Sequence, residues 1–157
     1  MKAASIHELK KEVSSLSLAE VVELCLRLAK YKKENKELLH YLLFEANDHA
    51  SYIKKAKAEL GALFTTMDTS NLYLAKKTLR KILRNTNKYI KYANAKRVEI
   101  ELMLFFCKNL KQSGLPLSTN ATIQNIYLRQ TQKIIKAIAQ LHEDLQYDYL
   151  QELQLIQ

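Results

Sequence analysis

Lys77, Arg80, Lys81, Arg84, Lys88 and Lys91 recur at three- and four-residue intervals with no acidic residue among them. On a helix this spacing gathers the six side chains on one side, in a stripe about 21 Å long at 1.5 Å rise per residue. Such a row can bind the phosphates of a nucleic acid, with affinity arising from counterion release. It can instead meet carboxylates, and the chain carries its own set: Asp144, Asp148 and Glu152 recur every four residues, beside Glu143. That acidic row could lie along the basic helix within one chain or across a homodimer. The bland reading is a solvated basic face of little energetic weight. Against it stands the mutual repulsion of like charges at i, i+3 and i+4, a few tenths of a kcal/mol per pair, which an anionic partner would relieve.

Other chemistries have thinner support. Glu37 and His40 make one Glu-x-x-His, and Glu45 and His49 sit four apart, but a di-iron bundle needs two Glu-x-x-His motifs and two further carboxylates. Neither His7-Glu8 nor His142-Glu143 continues as a zinc-peptidase HExxH. No metal and no cofactor is expected. Cys25 and Cys107 lie in apolar helical stretches without a CxxC pair, which points to reduced core thiols. A thiol following Phe105-Phe106 should be inert, because burial disfavours the thiolate. Glu99 and Glu101 project about 200° apart on a helix and so cannot form a paired-carboxylate site. One of them is expected to be partly buried and to pair with a Lys or Arg of a neighbouring helix. Nothing here predicts an enzyme.

The composition sets the frame. The 157 residues are 48% hydrophobic, enough for one domain with a sizeable core, and contain only two glycines and one proline. That scarcity predicts long helices and few tight turns. It also excludes Gly-rich nucleotide motifs, since Gly61 and Gly114 stand alone. The net charge is +9. Residues 69–98 carry nine basic and no acidic groups, residues 1–68 are nearly balanced, and residues 139–157 carry four acids and no Lys or Arg. The basicity is therefore concentrated in one segment, which bears on partners rather than on fold. The longest apolar run, Leu102 to Cys107, is far short of the roughly 18 residues that span a bilayer. With charge at Lys2, Glu8, Lys10 and Lys11 there is no signal region either, so the expectation is a cytoplasmic protein with no membrane partner.

Helix signals run through the chain. Ser5-Ile6-His7-Glu8 and Ser17-Leu18-Ala19-Glu20 each place a hydroxyl three residues before a carboxylate, the capping-box arrangement. The first opens a short helix to about Val13. The second opens a stronger one, with Leu18, Val21, Val22, Cys25, Leu28 and Ala29 on its inward face. Leu38, Leu39, Leu42 and Leu43 mark a third segment; Tyr31 to Asn35 is either an interruption or a polar turn of one longer helix. Asp48 caps a fourth with Tyr52, Ile53, Ala56 and Leu60 inward, and Gly61 is its stop or a small contact residue. Beyond the loop at residues 65–70, Leu72, Ala75, Leu79, Ile82, Leu83, Thr86, Ile90 and Ala93 make one face of a fifth, amphipathic helix. Val98 to Leu110 is apolar nearly all round and should lie at the centre of the fold. Gly114 and Pro116 end it. A final pattern runs from about Thr119 toward Leu155 with Ile123, Ile126, Tyr127, Ile134, Ile138, Leu141, Leu145 and Tyr149 on one face. Unbroken, that helix would be roughly 55 Å long, so it must kink or let about its last 12 residues project or fray, and a projecting end would invite homodimerisation.

The class expected is all-α, a single domain of about six to seven helices, either an irregular bundle or stacked helix pairs of solenoid type. The runs Leu9-Lys10-Lys11, Leu16 to Leu24, Leu74-Ala75-Lys76-Lys77 and Ile100 to Phe106 resemble a family of small uncharacterised bacterial all-helical proteins, a domain of unknown function. That resemblance implies a helical fold in a bacterial cytoplasm and supplies no activity, ligand or catalytic residue. The function expected is a non-enzymatic helical module with a protein partner, itself included. The alternative is a sequence-nonspecific nucleic-acid-binding accessory protein using residues 72–93.

Overall fold

The computed structural model describes residues 3–156. They form eight α-helices with no strand among them: α1 (Ile6–Ser14), α2 (Leu18–Tyr31), α3 (Lys33–His40), α4 (His49–Thr65), α5 (Leu72–Ala93), α6 (Lys96–Gln112), α7 (Ala121–Ile138) and α8 (Glu143–Ile156). A π-helical turn, Tyr41–Glu45, follows α3. The chain divides into two compact units, one ending at Phe44 and one beginning at Glu45.

In the N-terminal unit both capping boxes are formed. The Ser5 and Ser17 amides donate to Glu8 and Glu20 at 2.7 and 2.8 Å, and the serine oxygens accept from the Glu8 and Glu20 amides. The serine hydroxyl and amide bonds hold the Glu8 and Glu20 carboxyls below the usual carboxylate range. Lys32 is an extended residue between α2 and α3. The Asn35 side chain donates to the Leu28 carbonyl at 2.8 Å and closes the end of α2 across this corner. The stretch from Tyr31 to Asn35 is thus an interruption. The inward face expected of α2 is covered only in part: α2 packs on α3 and Val21 and Ala29 are half-buried, but no residue of α1, α2 or α3 is fully buried, and Cys25 is exposed, which overturns its reading as a core thiol.

The C-terminal unit is organised around α6. Val98, Ile100, Leu102, Met103, Leu104, Phe106, Cys107 and Leu110 are all buried and together cover about two thirds of the directions around the helix axis at 100° per residue, so α6 needs neighbours on most sides. It has four: α4, α5, α7 and α8 each pack against it, and α4 also meets α5 while α7 meets α8. Asp48 caps α4 by accepting from the Ser51 amide at 3.0 Å, and Tyr52, Ile53, Ala56 and Leu60 are its buried face. Gly61 lies inside α4 as a contact residue, where an added Cβ would stand 3.5 Å from the Phe105 ring. Ala75, Leu79, Ile82 and Thr86 are the buried face of α5. Asn94 in the left-handed conformation turns α5 into α6, a backbone state that asparagine tolerates.

The last apolar pattern breaks at residues 139–142, and α8 folds back onto α6 and α7. Its end does not project. Tyr149, Leu153 and Ile156 are buried, and the Ile156 carbonyl accepts from the Lys111 ammonium at 3.2 Å and from the Tyr127 hydroxyl. Leu145, expected inward, is exposed. Glu101 is the partly buried carboxylate foreseen on α6. It pairs with Lys57 of α4 at 2.6 Å and accepts from the Tyr149 hydroxyl at 3.2 Å, tying three helices together. Glu99 pairs within its own helix, with Lys96 at 2.9 Å.

Two outcomes follow from the burial of α6. Phe106→Ala empties space beside Phe64, whose ring lies 5.7 Å away, and should lower the unfolding free energy by about 3–5 kcal/mol in denaturant titrations. Burial pushes the Cys107 thiol up to about 12, so the folded chain holds this proton above the pH at which an unfolded cysteine releases it. Stability should therefore be full below about pH 8.5 and fall toward pH 12, by up to about 1.4 kcal/mol per pH unit for this group. Removing the thiol with Cys107→Ala should flatten that fall in pH-dependent unfolding.

Candidate functional site

The six cations of α5 lie on the side of the helix away from Ala75, Leu79, Ile82 and Thr86, because the buried arc and the stripe are about half a turn apart at 100° per residue. Lys77, Arg80, Lys81, Arg84 and Lys91 are exposed and Lys88 is half-buried. The structure divides the stripe in two. Lys77, Arg80 and Arg84 border a groove of about 730 Å³ between α5 and α7, whereas Lys81, Lys88 and Lys91 stay outside it. The Lys88 ammonium stands 5.6 Å from the Tyr89 ring centroid.

The far wall of the groove is α7, which contributes Thr122, Asn125 and Arg129, and Asn87 of α5 completes the polar rim. Leu83 and Ile126 form an apolar floor. Four cations thus converge with no carboxylate among the lining residues. At Asn87 the groove meets a second one of about 230 Å³, where Lys96, Lys133 and Lys136 are joined by the single carboxylate Glu99, itself held by Lys96. Sequence reasoning on α5 missed the α7 wall. A signal existed: Thr122, Ile126, Arg129 and Lys133 follow the i, i+4, i+7, i+11 spacing of one helical flank, but only the approach of α7 to α5 joins that flank to the stripe.

The acidic row is elsewhere. α8 packs on α6 and α7, while α5 packs on α4 and α6, and none of Asp144, Asp148 and Glu152 lines the groove between α5 and α7. Asp144 faces His142, with Oδ2 3.3 Å from Nδ1. Glu152 lines a different groove, with Lys57, Lys108 and Lys111. Within one chain the row does not run along α5, and the pairing of Asp144, Asp148 and Glu152 with the stripe is not made.

The aromatic groups near the stripe have two fates. Tyr89 is used in packing: it meets Tyr52 edge to face at 6.3 Å, its carbonyl accepts from the Tyr52 hydroxyl at 3.0 Å, and its hydroxyl donates to Glu59. Tyr73, by contrast, is 73% exposed and sits one turn before Lys77 on the same side of α5. Elsewhere, Glu45 is engaged by Lys55 at 2.8 Å and His40 stacks at a tilt on Phe44. Among the described residues no three His, Cys, Asp or Glu side chains converge as a metal site, and no helix is long and apolar enough to cross a membrane.

The chain matches no family model, no curated protein and no solved structure. The physical character of the groove is therefore what bears on function. Guanidinium groups present paired N–H donors that fit phosphate oxygens. Asn87, Asn125 and Thr122 add neutral donors at the same rim, and the exposed Tyr73 offers a ring face. This combination suits a phosphate-bearing chain whose bases can stack.

Proposed function

We propose that the protein binds the phosphodiester backbone of nucleic acid, without sequence readout, through the groove between α5 and α7. The observation that carries this reading is the convergence of Lys77, Arg80, Arg84 and Arg129 on one groove with no lining carboxylate. The chain's own acidic row supports it too, because none of Asp144, Asp148 and Glu152 lines this groove. Phosphate contacts supply affinity and position but no sequence information. Binding is the role of the groove, and turnover of the nucleic acid is not part of the proposal.

Fluorescence anisotropy with labelled single- and double-stranded oligonucleotides across a salt series tests this. With about four phosphates neutralised, log affinity should fall against log salt with a slope of about −3 to −4. Arg84→Glu with Arg129→Glu should weaken binding at least tenfold and flatten the slope by about 2. Tyr73→Ala should weaken single-strand binding by about 1–3 kcal/mol and leave the slope unchanged. Equal, salt-insensitive affinity in the wild type and the Arg84/Arg129 variant would sink the proposal.

A further inference from the structure

The groove between α5 and α7 continues past its four cations. Asn87 lines both it and the smaller groove of about 230 Å³ beyond, so the two form one track. In the first part, Lys77 to Asn87 of α5 stand beside Thr122 to Arg129 of α7. In the second, Asn87 and Ile90 stand beside Lys133 to Gln140. The two helices therefore run in the same direction on either side of the track. Lys77 to Ile90 on one wall and Thr122 to Lys136 on the other each rise about 20 Å at 1.5 Å per residue.

The walls are cationic and the floor is apolar. To Lys77, Arg80, Arg84 and Arg129 the second part adds Lys133 and Lys136, both exposed. Lys96 lines it too, but its ammonium is held at 2.9 Å by Glu99, the single carboxylate lining either part. The other six cations are left to an outside anion. Along the floor, Leu83 and Ile126 are followed by Ile90, Met103 and Ala137. Leu83, Ile90 and Ile126 are only half-buried, so they still present apolar surface to whatever lies in the track.

These features choose between the forms of nucleic acid. A duplex turns its phosphates outward and keeps its bases stacked inside, so it would meet the cations and leave the apolar floor bare. A single strand has both groups to place: phosphates beside cations, and unpaired base faces against apolar or aromatic surface. Length agrees with this choice. Phosphates of one strand are spaced about 3.4 Å apart in a stacked chain, so a track of about 20 Å holds about six of them, one for each cation. Tyr73, exposed one turn before Lys77, adds a ring at that end.

From this we infer that the track takes a single strand of about six nucleotides, bases inward and phosphates along both walls, passing the junction at Asn87 into the second part. The inference rests on the nucleic-acid reading of the first groove and goes beyond it in naming the form bound and the length held.

Anisotropy with the full chain tests it, using labelled oligothymidines of five, seven and eleven nucleotides, a duplex of 20 base pairs, and a seven-unit abasic strand. The seven-nucleotide strand carries two more phosphates than the five, so its log affinity should fall against log salt more steeply, by about 1.4. The eleven-nucleotide strand should be no steeper than the seven. Lys133→Gln with Lys136→Gln should weaken binding of the seven-nucleotide strand at least about fivefold and abolish that difference in slope, while changing the five-nucleotide strand less than about twofold. The duplex, per binding site, and the abasic strand, which keeps the phosphates without the bases, should each bind at least about tenfold more weakly than the seven-nucleotide strand. Equal affinity for the duplex or the abasic strand, a slope already complete at five nucleotides, or a Lys133/Lys136 variant that behaves as the wild type overturns the inference and leaves the first groove a phosphate site. Failure of every probe to bind overturns the nucleic-acid reading itself, and this inference with it.

Discussion

A helix that is apolar on most sides has to be surrounded, and α6 imposes that demand on the C-terminal unit. Val98, Leu102, Phe106 and Leu110 require cover in one set of directions, and Ile100, Met103, Leu104 and Cys107 require it in the others. Four helices satisfy them. Each of those helices spends its apolar arc on α6 and on its immediate neighbour, so its opposite side faces out. For α5 that opposite side is the cationic stripe. The placement of the basic groove is thus a consequence of burying α6, and the repulsion among the cations is small beside the apolar burial that fixes the helix in place.

The same demand settles the fate of the acidic row. Tyr149, Leu153 and Ile156 are drawn to α6 and α7, and the carbonyl at the end of α8 is held by Lys111 and Tyr127. Asp144, Asp148 and Glu152 travel with that helix. Coulomb attraction between two solvent-exposed rows is weak and screened by salt, whereas three buried apolar side chains are worth several kcal/mol. Packing therefore decides where the acids go, and the groove between α5 and α7 is left electropositive. Glu101 is the exception that charge does help to place, because a partly buried carboxylate needs Lys57 and Tyr149 around it.

The N-terminal unit shows the opposite condition. Its helices form for local reasons: two capping boxes, a corner closed by Asn35, and amphipathic spacing. None of them brings enough mass together to bury the others.

Much of the fold was legible because it depends on local rules. Ser5, Ser17 and Asp48 announce helix starts through the hydrogen bonds their side chains can make. Gly114 marks an end through its positive φ. The arcs through Tyr52, Ile53, Ala56 and Leu60 and through Ala75, Leu79, Ile82 and Thr86 name their own buried sides. The all-helical class and the central place of α6 were determined at that level, since periodicity of 3.6 and apolarity on most sides are properties of one segment at a time. The stripe from Lys77 to Lys91 was legible for the same reason. What the sequence could not decide was which segments meet. That Arg129 joins Arg84, that Asp148 does not, and that the last helix breaks and returns all depend on competition among apolar surfaces for a limited number of neighbours. That competition is settled over the whole assembly of helices, and no spacing within one of them records its outcome.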